Sequence, residues 1–432
     1  MQVLITGSGG REHALAWKAS QSPRVEKVFV APGNAGTAGE RGVENVEIPV
    51  NDSPSLVEFA KTSGIGLTII GPEVPLVLGI VDQFEEAGLR CFGPSRLASQ
   101  LEGSKTFTKD FLRRHSIPTA SYRSFTETGP ARAYLGEIGL PCVIKADGLA
   151  AGKGVIIVTS REQGRETIHA MLAGNQFGQA GHRIVIEQFL TGEEASFICM
   201  VDGENILSLA SSQDHKAAFD GDSGPNTGGM GAYSPAPVID GPMHEKIIDE
   251  VIAPTVAGMA ADGMPYTGFL YAGLMIGEDL VPRVLEFNCR SGDPETQPIL
   301  LRLQSDLVEH CLAALDGELH QQVARWDPRP ALGVVMAADG YPGSCDSGLV
   351  INGLGDNSQP DCKIFHSGTR WVDGQTITAG GRVLCVTALG EHIAGAQEQA
   401  YQAASAIHWD GCWYRRDIGY RAMQRSFQGR DQ

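Results

Sequence analysis

Up to about Leu101 the chain alternates short apolar runs with amphipathic stretches. QVLIT (2–6), KVFVAP (27–32), LTIIGPE (67–73) and LRCFGP (89–94) each have the length and composition of a strand. Continuous apolar runs suit strands covered on both faces, and intervening helices require parallel pairing. A parallel α/β sheet is therefore predicted for residues 1–102. The first run ends in Gly7-Ser8-Gly9-Gly10, and a helix is expected from about Arg11 to Ser20.

From Glu102 the pattern changes. SKTFTKDFLRRHS (104–116) reads as a helix. CVIKAD (142–147) and GVIIVTS (154–160) read as strands joined by a glycine-rich turn, followed by a helix over 161–173 and a strand RIVIEQFL (183–190). These make a small α+β unit. EEASFICMVDG (193–203) and NILSLASSQDHK (205–216) are expected to pair as long strands. DGDSGPNTGGMGAYSPAP (220–237) is too rich in glycine and proline for regular structure. A helix over 242–261, strands YTGFLYAGLMIG (266–277) and PRVLEFNCR (282–290), and helices to about Leu319 follow. WDPRPALG (326–333) reads as a linker, and short strands with a helix over 391–406 complete the chain. The divisions expected are 1–102, 103–328 with a subdomain over 121–190, and a β-rich 329–432.

Two to four domains is the expectation for 432 residues. A net charge of −17 disfavours nucleic acid as a bulk partner. Nine cysteines without CxxC or metal-ligand spacing suit a reducing compartment. No apolar run reaches the roughly 18 residues of a membrane span, and the chain opens on a strand rather than a basic leader. A cytoplasmic protein without membrane association is expected.

Residues 284–298, VLEFNCRSGDPETQP, carry the densest chemistry. In a strand, Glu286, Asn288 and Arg290 share one face, with Leu285, Phe287 and Cys289 on the other. That row holds a hard oxygen ligand, a neutral oxygen ligand and an anion clamp, or else it is the wet face of an edge strand. Gly7-Ser8-Gly9-Gly10-Arg11-Glu12 fails the dinucleotide fingerprint, because Glu12 stands at the third glycine and no acid follows the second strand. It leaves a glycine turn at a helix N-terminus beside Arg11, suited to one phosphate or to a tight turn alone. Gly148-Leu149-Ala150-Ala151-Gly152-Lys153-Gly154 fails as a P-loop in spacing, and Gly154 replaces the metal-binding hydroxyl. Its backbone N–H groups remain suited to folding over phosphates. Lys145, among apolar residues, requires an anion or solvent. Lys105 opens a helix, where lysines are usually solvated. Glu187 to Leu190 ends a strand at a bend, as a purine-binding hinge would, with Glu194 beyond it for ribose hydroxyls. Asp214 and Lys216 flank His215, which reads better as a structural histidine than as a base.

Taken together these segments resemble the phosphoribosylamine–glycine ligases of the ATP-grasp superfamily. VLITGSGGREHALAW, APGNAGT, GPEVPLVLGI, LEGSKTFTKDFL, IPTA, VIKADGLAAGKGV, DHK, GPNTGGMGAYSPAP, LEFNCRSGDPETQP and YRRDIGYRA all look like that family, in its order. Two positions depart from it: Ser291 where Phe is expected, and Ala217 where Arg is expected. The resemblance implies a parallel α/β N-terminal domain, an ATP-grasp core with a mobile lid at 121–190, and a small, mainly β C-terminal domain. It implies ligation of glycine to 5-phosphoribosylamine with ATP, through glycyl phosphate, in purine biosynthesis. By the same resemblance Glu286 and Asn288 bind Mg²⁺ or Mn²⁺. Lys105, Lys145, Gly152, Glu187, Leu190 and Glu194 hold ATP. Gly9, Gly10, Arg11, Asn34, Gly36 and Glu73 hold the ribosyl phosphate and its hydroxyls. Arg290, Asp214 and Lys216 serve glycine and the reacting groups. The implied partners are these small molecules, with the chain a monomer or weak homo-oligomer. Another ATP-grasp ligase or carboxylase, and a non-catalytic nucleotide-binding protein, are the alternatives. The absence of a biotin-attachment segment speaks against a biotin-dependent carboxylase, and the retained Lys145, Glu286 and Asn288 speak against a dead enzyme.

Overall fold

The computed structural model describes residues 1–150, 154–174, 178–355 and 361–428. The first sheet is parallel, with spatial order Val43–Asn45, Lys27–Pro32, Gln2–Gly7, Ile65–Ile70, Cys91–Phe92. Val3, Leu4 and Ile5 in its central strand are fully buried, which explains the continuous apolar run. The helix Gly10–Ala19 starts directly after the glycine turn.

A four-stranded antiparallel sheet follows, in the order Tyr122–Phe125, Ile184–Gln188, Cys142–Ala146, Val155–Val158, with helices Thr128–Glu137 and Arg161–Leu172 packed on it. It has a hydrophobic core of its own, including Leu135, Ile144, Ile168 and Ile186. A second antiparallel sheet runs Ile206–Ser208, Glu193–Asp202, Thr267–Ile276, Pro282–Asn288. The two sheets join through residues 189–192, where Gly192 takes φ +149° and a Cβ would lie 2.2 Å from the Ile276 carbonyl oxygen. Only glycine fits that crossing.

The third large sheet departs from expectation. Its order is Gln213–Asp214, Gly231–Ser234, Ala331–Ala337, Arg382–Leu389, Cys362–His366. The expected long strand over 205–216 therefore breaks, because the chain leaves one sheet after Ser208 and enters another at Gln213. The 220–237 segment, expected to be irregular, contributes strands Ser223–Asn226 and Gly231–Ser234. Tertiary pairing overrides local propensity here: Gly231–Ser234 lies between two partner strands, and a Cβ on Gly231 would sit 2.6 Å from the Gly333 carbonyl oxygen. The helix expected over 242–261 holds a π turn at Ile248–Ile252, next to Pro254. Proline lacks an N–H, so the ladder must shift around it. A terminal helix, Tyr420–Gln428, was not expected from the sequence. No helix among the described residues is long and apolar enough to cross a membrane.

Candidate active site

The three large sheets and the N-terminal sheet converge on a cleft of about 560 Å³. Its wall from the second sheet is Pro282–Asn288, which pairs with Thr267–Ile276 as Met275↔Arg283 and Leu274↔Val284, then steps to Gly273↔Glu286. Leu285 is thus the extra residue of a β-bulge. Bulges re-aim side chains beside functional sites, and this one places Leu285 on the cleft with Glu286 and Asn288. Strict alternation had put Leu285 on the back. The bulge also presents the Leu285 carbonyl, which accepts from Lys145 Nζ at 3.0 Å. Cys289 lies behind in the core, and Phe287, buried in the same core, also borders the cleft.

The floor is a field of lysines around two carboxylates. Burial raises the Glu286 carboxyl, but Lys216, Lys145, Lys105 and Arg290 outweigh it and hold the group below the usual carboxylate range. Lys216 Nζ is 3.9 Å from Glu286 and is ion-paired with Glu194. Lys105 Nζ donates to the Gly148 carbonyl at 3.2 Å. Glu187 lies deeper and is ion-paired with both Lys145 and Lys109, the latter at 2.5 Å. Burial raises its carboxyl too, and the two ammonium groups bring it below its ordinary value. Lys109 escaped the sequence reading. Its spacing of four from Lys105 placed both on one helix face, and that was the available signal.

Arg290 lies just past the strand. Its Nε donates to Glu73 at 3.2 Å, and a terminal nitrogen pairs with Glu102 at 3.0 Å. Burial and Arg290 pull Glu102 in opposite directions, and burial wins, so that carboxyl is raised. It also accepts the Cys289 N–H at 2.8 Å. Arg11 Nε donates to Glu12 at 2.6 Å, and Arg11 also donates to the Ser291 carbonyl at 3.2 Å. The misfit Glu12 of the glycine fingerprint now has a role. Its second oxygen accepts the Gly9 N–H at 2.6 Å, and its stem fills the space left by Gly7 and Gly71.

Asp214 lines the cleft together with Glu286 and Asn288. Burial pushes its carboxyl up, Lys216 opposes this, and Glu295, Glu194 and Glu286 add to the rise, leaving it at about 8. Beside it, Ser196, Tyr271 and Glu295 form a buried triangle with sides of 2.9–3.1 Å. His215 is buried, and its Nε2 accepts the Gly419 N–H at 3.0 Å, a structural role. From the C-terminal region come Tyr341, in the turn after Ala331–Ala337, and Arg382, at the start of Arg382–Leu389. Arg382 donates to the carbonyls of Gly228, Gly229 and Asp293 and to the Asp293 carboxylate, clasping the glycine loop against the cleft. Neither residue had a local sequence signal.

The cleft brings together Gly9, Arg11, Glu73, Lys105, Lys145, Asp214, Lys216, Glu286, Asn288 and Arg290. Glu187 and Glu194 reach it through their lysine partners. Leu190 lies in the connection between sheets, away from the lining residues. Gly10, Asn34 and Gly36 pack against the C-terminal strands instead. Gly152 lies outside the described residues.

Ser291 is 4% exposed, and its Oγ makes no hydrogen bond among the described residues. A buried hydroxyl without a partner costs stability. Ser291→Ala is expected to raise stability by roughly 1 kcal/mol, read as a higher Tm with unchanged KM for every substrate. Nothing in the structure explains Ala217.

Family models match three consecutive stretches: the N domain of phosphoribosylglycinamide synthetase at residues 1–102, its ATP-grasp (A) domain at 103–296 and its C domain at 331–421. The phosphoribosylamine–glycine ligase of Allochromatium vinosum is 65% identical over 98% of this chain and 99% of its own. The chain belongs to the phosphoribosylamine–glycine ligase family. The Escherichia coli K12 ligase is 62% identical over 98% of this chain and 99% of its own. Among solved structures, the Thermotoga maritima ligase superposes with a TM-score of 0.85 at 35% identity, covering 97% of this chain and all of that one. The biotin carboxylase domain of a Hydrogenobacter thermophilus 2-oxoglutarate carboxylase has a TM-score of 0.74 at 15% identity over 95% of this chain and 91% of its own, and shares the fold alone. The family is thus an ATP-grasp ligase family, and ATP is its nucleotide.

Proposed function

We propose that this chain joins glycine to 5-phosphoribosylamine with ATP, giving glycinamide ribonucleotide, ADP and phosphate. The observation that carries this reading is the row of Glu286, Asn288 and Arg290, facing Lys105, Lys145 and Lys216 in one cleft that also reaches Arg11 and Glu73. Four cations hold Glu286 ionised, so the row is a ready oxygen donor set. Among the described residues no group of three or more His, Cys, Asp or Glu is arranged to hold a metal. Two protein oxygens, with phosphate and water completing the shell, is the coordination Mg²⁺ favours. Mg²⁺ held by Glu286 and Asn288 would neutralise phosphate charge.

The remaining work falls to the chain's own groups. Lys105 and Lys145 orient the ATP phosphates. Glu187 fixes Lys145, and closure of the lid brings the 188–190 connection, with Glu194, onto the nucleoside. Arg290 retains N–H groups beyond those given to Glu73, Glu102 and Ser291, and it orients the glycine carboxylate. Asp214, raised by its burial, accepts the glycine ammonium, whose charge compensates the surrounding acids. The glycine carboxylate attacks the γ-phosphorus and ADP leaves. The amine of phosphoribosylamine then attacks the acyl carbon of glycyl phosphate, phosphate leaves, and the amine loses its proton. Positioning and charge neutralisation dominate such phosphoryl transfer. Glycyl phosphate hydrolyses readily, so closure of the 121–190 lid over the cleft excludes water. The units of the chain in this reading are 1–102, 103–328 and 329–432. Cys91, Cys142, Cys199, Cys289, Cys311, Cys362 and Cys385 are buried thiols, which suits a reducing cytoplasm as the site of action.

Phosphate release measured with each substrate omitted in turn tests the reading. Release must require glycine, phosphoribosylamine and ATP together, and turnover without phosphoribosylamine at the full rate would overturn it. Arg11→Ala is expected to raise KM for phosphoribosylamine about ten- to a hundredfold, the cost of a charge-assisted bond to phosphate, with KM for ATP nearly unchanged. A fall in ATP affinity instead would make the first sheet a nucleotide site.

A further inference from the structure

Gly10, Asn34 and Gly36 are part of the segments that resemble the family, yet none lines the cleft. Gly10 opens the helix Gly10–Ala19, Asn34 caps the short helix Ala35–Gly39 and Gly36 lies within it, where the end of strand Cys362–His366 docks. A Cβ on Gly10 would lie 2.6 Å from Ser367 Oγ and 2.5 Å from Gln297 Nε2. A Cβ on Gly36 would lie 2.4 Å from His13 Cε1 and 2.6 Å from His366 Cγ. The missing side chains make room for these protein groups.

Asn34 is the centre of this junction. It is 6% exposed. Its Oδ1 accepts the N–H groups of Gly36 at 2.8 Å and Thr37 at 3.0 Å. Its Nδ2 donates to the Ser8 carbonyl at 2.8 Å and to the His366 carbonyl at 2.8 Å. An amide has two donors and two acceptor positions, so none remains for a substrate. What the amide joins is informative. Ser8 lines the cleft in the glycine turn, next to Gly9 and Arg11. His366 belongs to the C-terminal sheet.

A second link runs in parallel. His13, on the helix that follows the turn, accepts the His366 N–H at Nδ1 (2.9 Å), so its proton is on Nε2, facing Glu40 at 3.3 Å. Glu40 also accepts from Lys363 at 2.6 Å. Both faces of the glycine turn are thus fastened to one strand end from the other extreme of the chain.

We propose that Asn34 is a positioning residue, through which the C-terminal strand Cys362–His366 sets the Ser8–Arg11 turn for phosphoribosylamine. The inference rests on the ligase reading above. It assigns Asn34 no contact with substrate: the amide acts through the Ser8 carbonyl.

Two variants test it by different routes. Asn34→Asp keeps an acceptor for Gly36 and Thr37 but turns an oxygen toward the carbonyls of Ser8 and His366, and so severs both links. Gly36→Ala leaves Asn34 intact and drives a methyl group between His13 and His366, at a backbone conformation that alanine tolerates. Each is expected to raise KM for phosphoribosylamine about ten- to a hundredfold, the scale of a small misplacement. Values of kcat and of KM for ATP and glycine should stay within about twofold. Gly36→Ala carries the test if Asn34→Asp does not fold. A lowered Tm with all three KM values unchanged, or all three raised together, overturns the proposal and leaves a structural junction. Loss of phosphoribosylamine-dependent phosphate release in the unmodified protein is a different result, and sinks the ligase reading itself.

Discussion

Glu286→Gln is expected to lower kcat at least about a hundredfold while the protein stays folded. Preorganised charge at the reacting phosphate is commonly worth that much, and with Gln the row would offer Mg²⁺ two neutral oxygens and no carboxylate. The substitution also removes the anion that faces Lys216, Lys145, Lys105 and Arg290. That loss should be mild for stability. The Glu286 side chain is 38% exposed, so water screens the unpaired cations and the effect is on the order of 1 kcal/mol or less. A rate assay at rising Mg²⁺ together with a melting curve checks both halves. Full activity at ordinary Mg²⁺ would rule out the metal role proposed for Glu286, and a collapsed Tm would make it a structural anion instead.

Glu187→Gln should do the opposite, acting on stability first. Its carboxylate is 3% exposed and pairs with two lysines, Lys109 and Lys145, that are 4% and 8% exposed. Breaking a buried pair from one side costs about 3–5 kcal/mol, because the remaining charge has lost both water and partner. The pH dependence separates this from ordinary repacking. Burial already lowers the Lys109 ammonium below its ordinary value, with Glu187 opposing; without Glu187 the depression deepens. A lysine whose folded pKa lies below its unfolded value binds more protons when unfolded, so stability rises with pH. The variant should therefore regain stability relative to the parent as pH climbs toward 10. For the parent, a Glu187 carboxyl held low gives stability present above its unfolded pKa and lost in acid, so the gap between the two proteins should narrow there. Urea melts at several pH values would show both trends, and a gap independent of pH would count against a trapped Lys109 ammonium.

What could be read in the sequence, and what could not, follows from the range of each interaction. The parallel sheet was readable because buried strands and amphipathic helices write their periods locally. The row Glu286, Asn288, Arg290 was readable for the same reason, and the bulge at Leu285 was not, since a register step depends on the partner strand. The glycine loop was misread as irregular because its strand Gly231–Ser234 exists only by pairing with Ala331–Ala337. Arg382, Tyr341 and Glu102 enter the site from far along the chain, without a local pattern. Gly10 and Gly36 teach a narrower lesson. Glycine announces that something comes close, and the sequence does not say whether that is a ligand or another strand.

The break in the strand after Ser208 bears on how the protein is made. Asp214 stands on the edge of a sheet whose inner strands are Gly231–Ser234, Ala331–Ala337 and Arg382–Leu389. A ribosome delivers residues in order, and domains generally fold as they emerge. The first sheet and the small sheet of residues 122–188 hold all their own strands and need not wait. The platform under Asp214 stays open at Ala331–Ala337 until Leu389 has left the exit tunnel. Nascent chains halted before that point already carry Lys105 and Lys145 on finished elements, while Asp214 still stands on an unfinished support, so the wall of the cleft that holds Asp214 is among the last parts of the site to form.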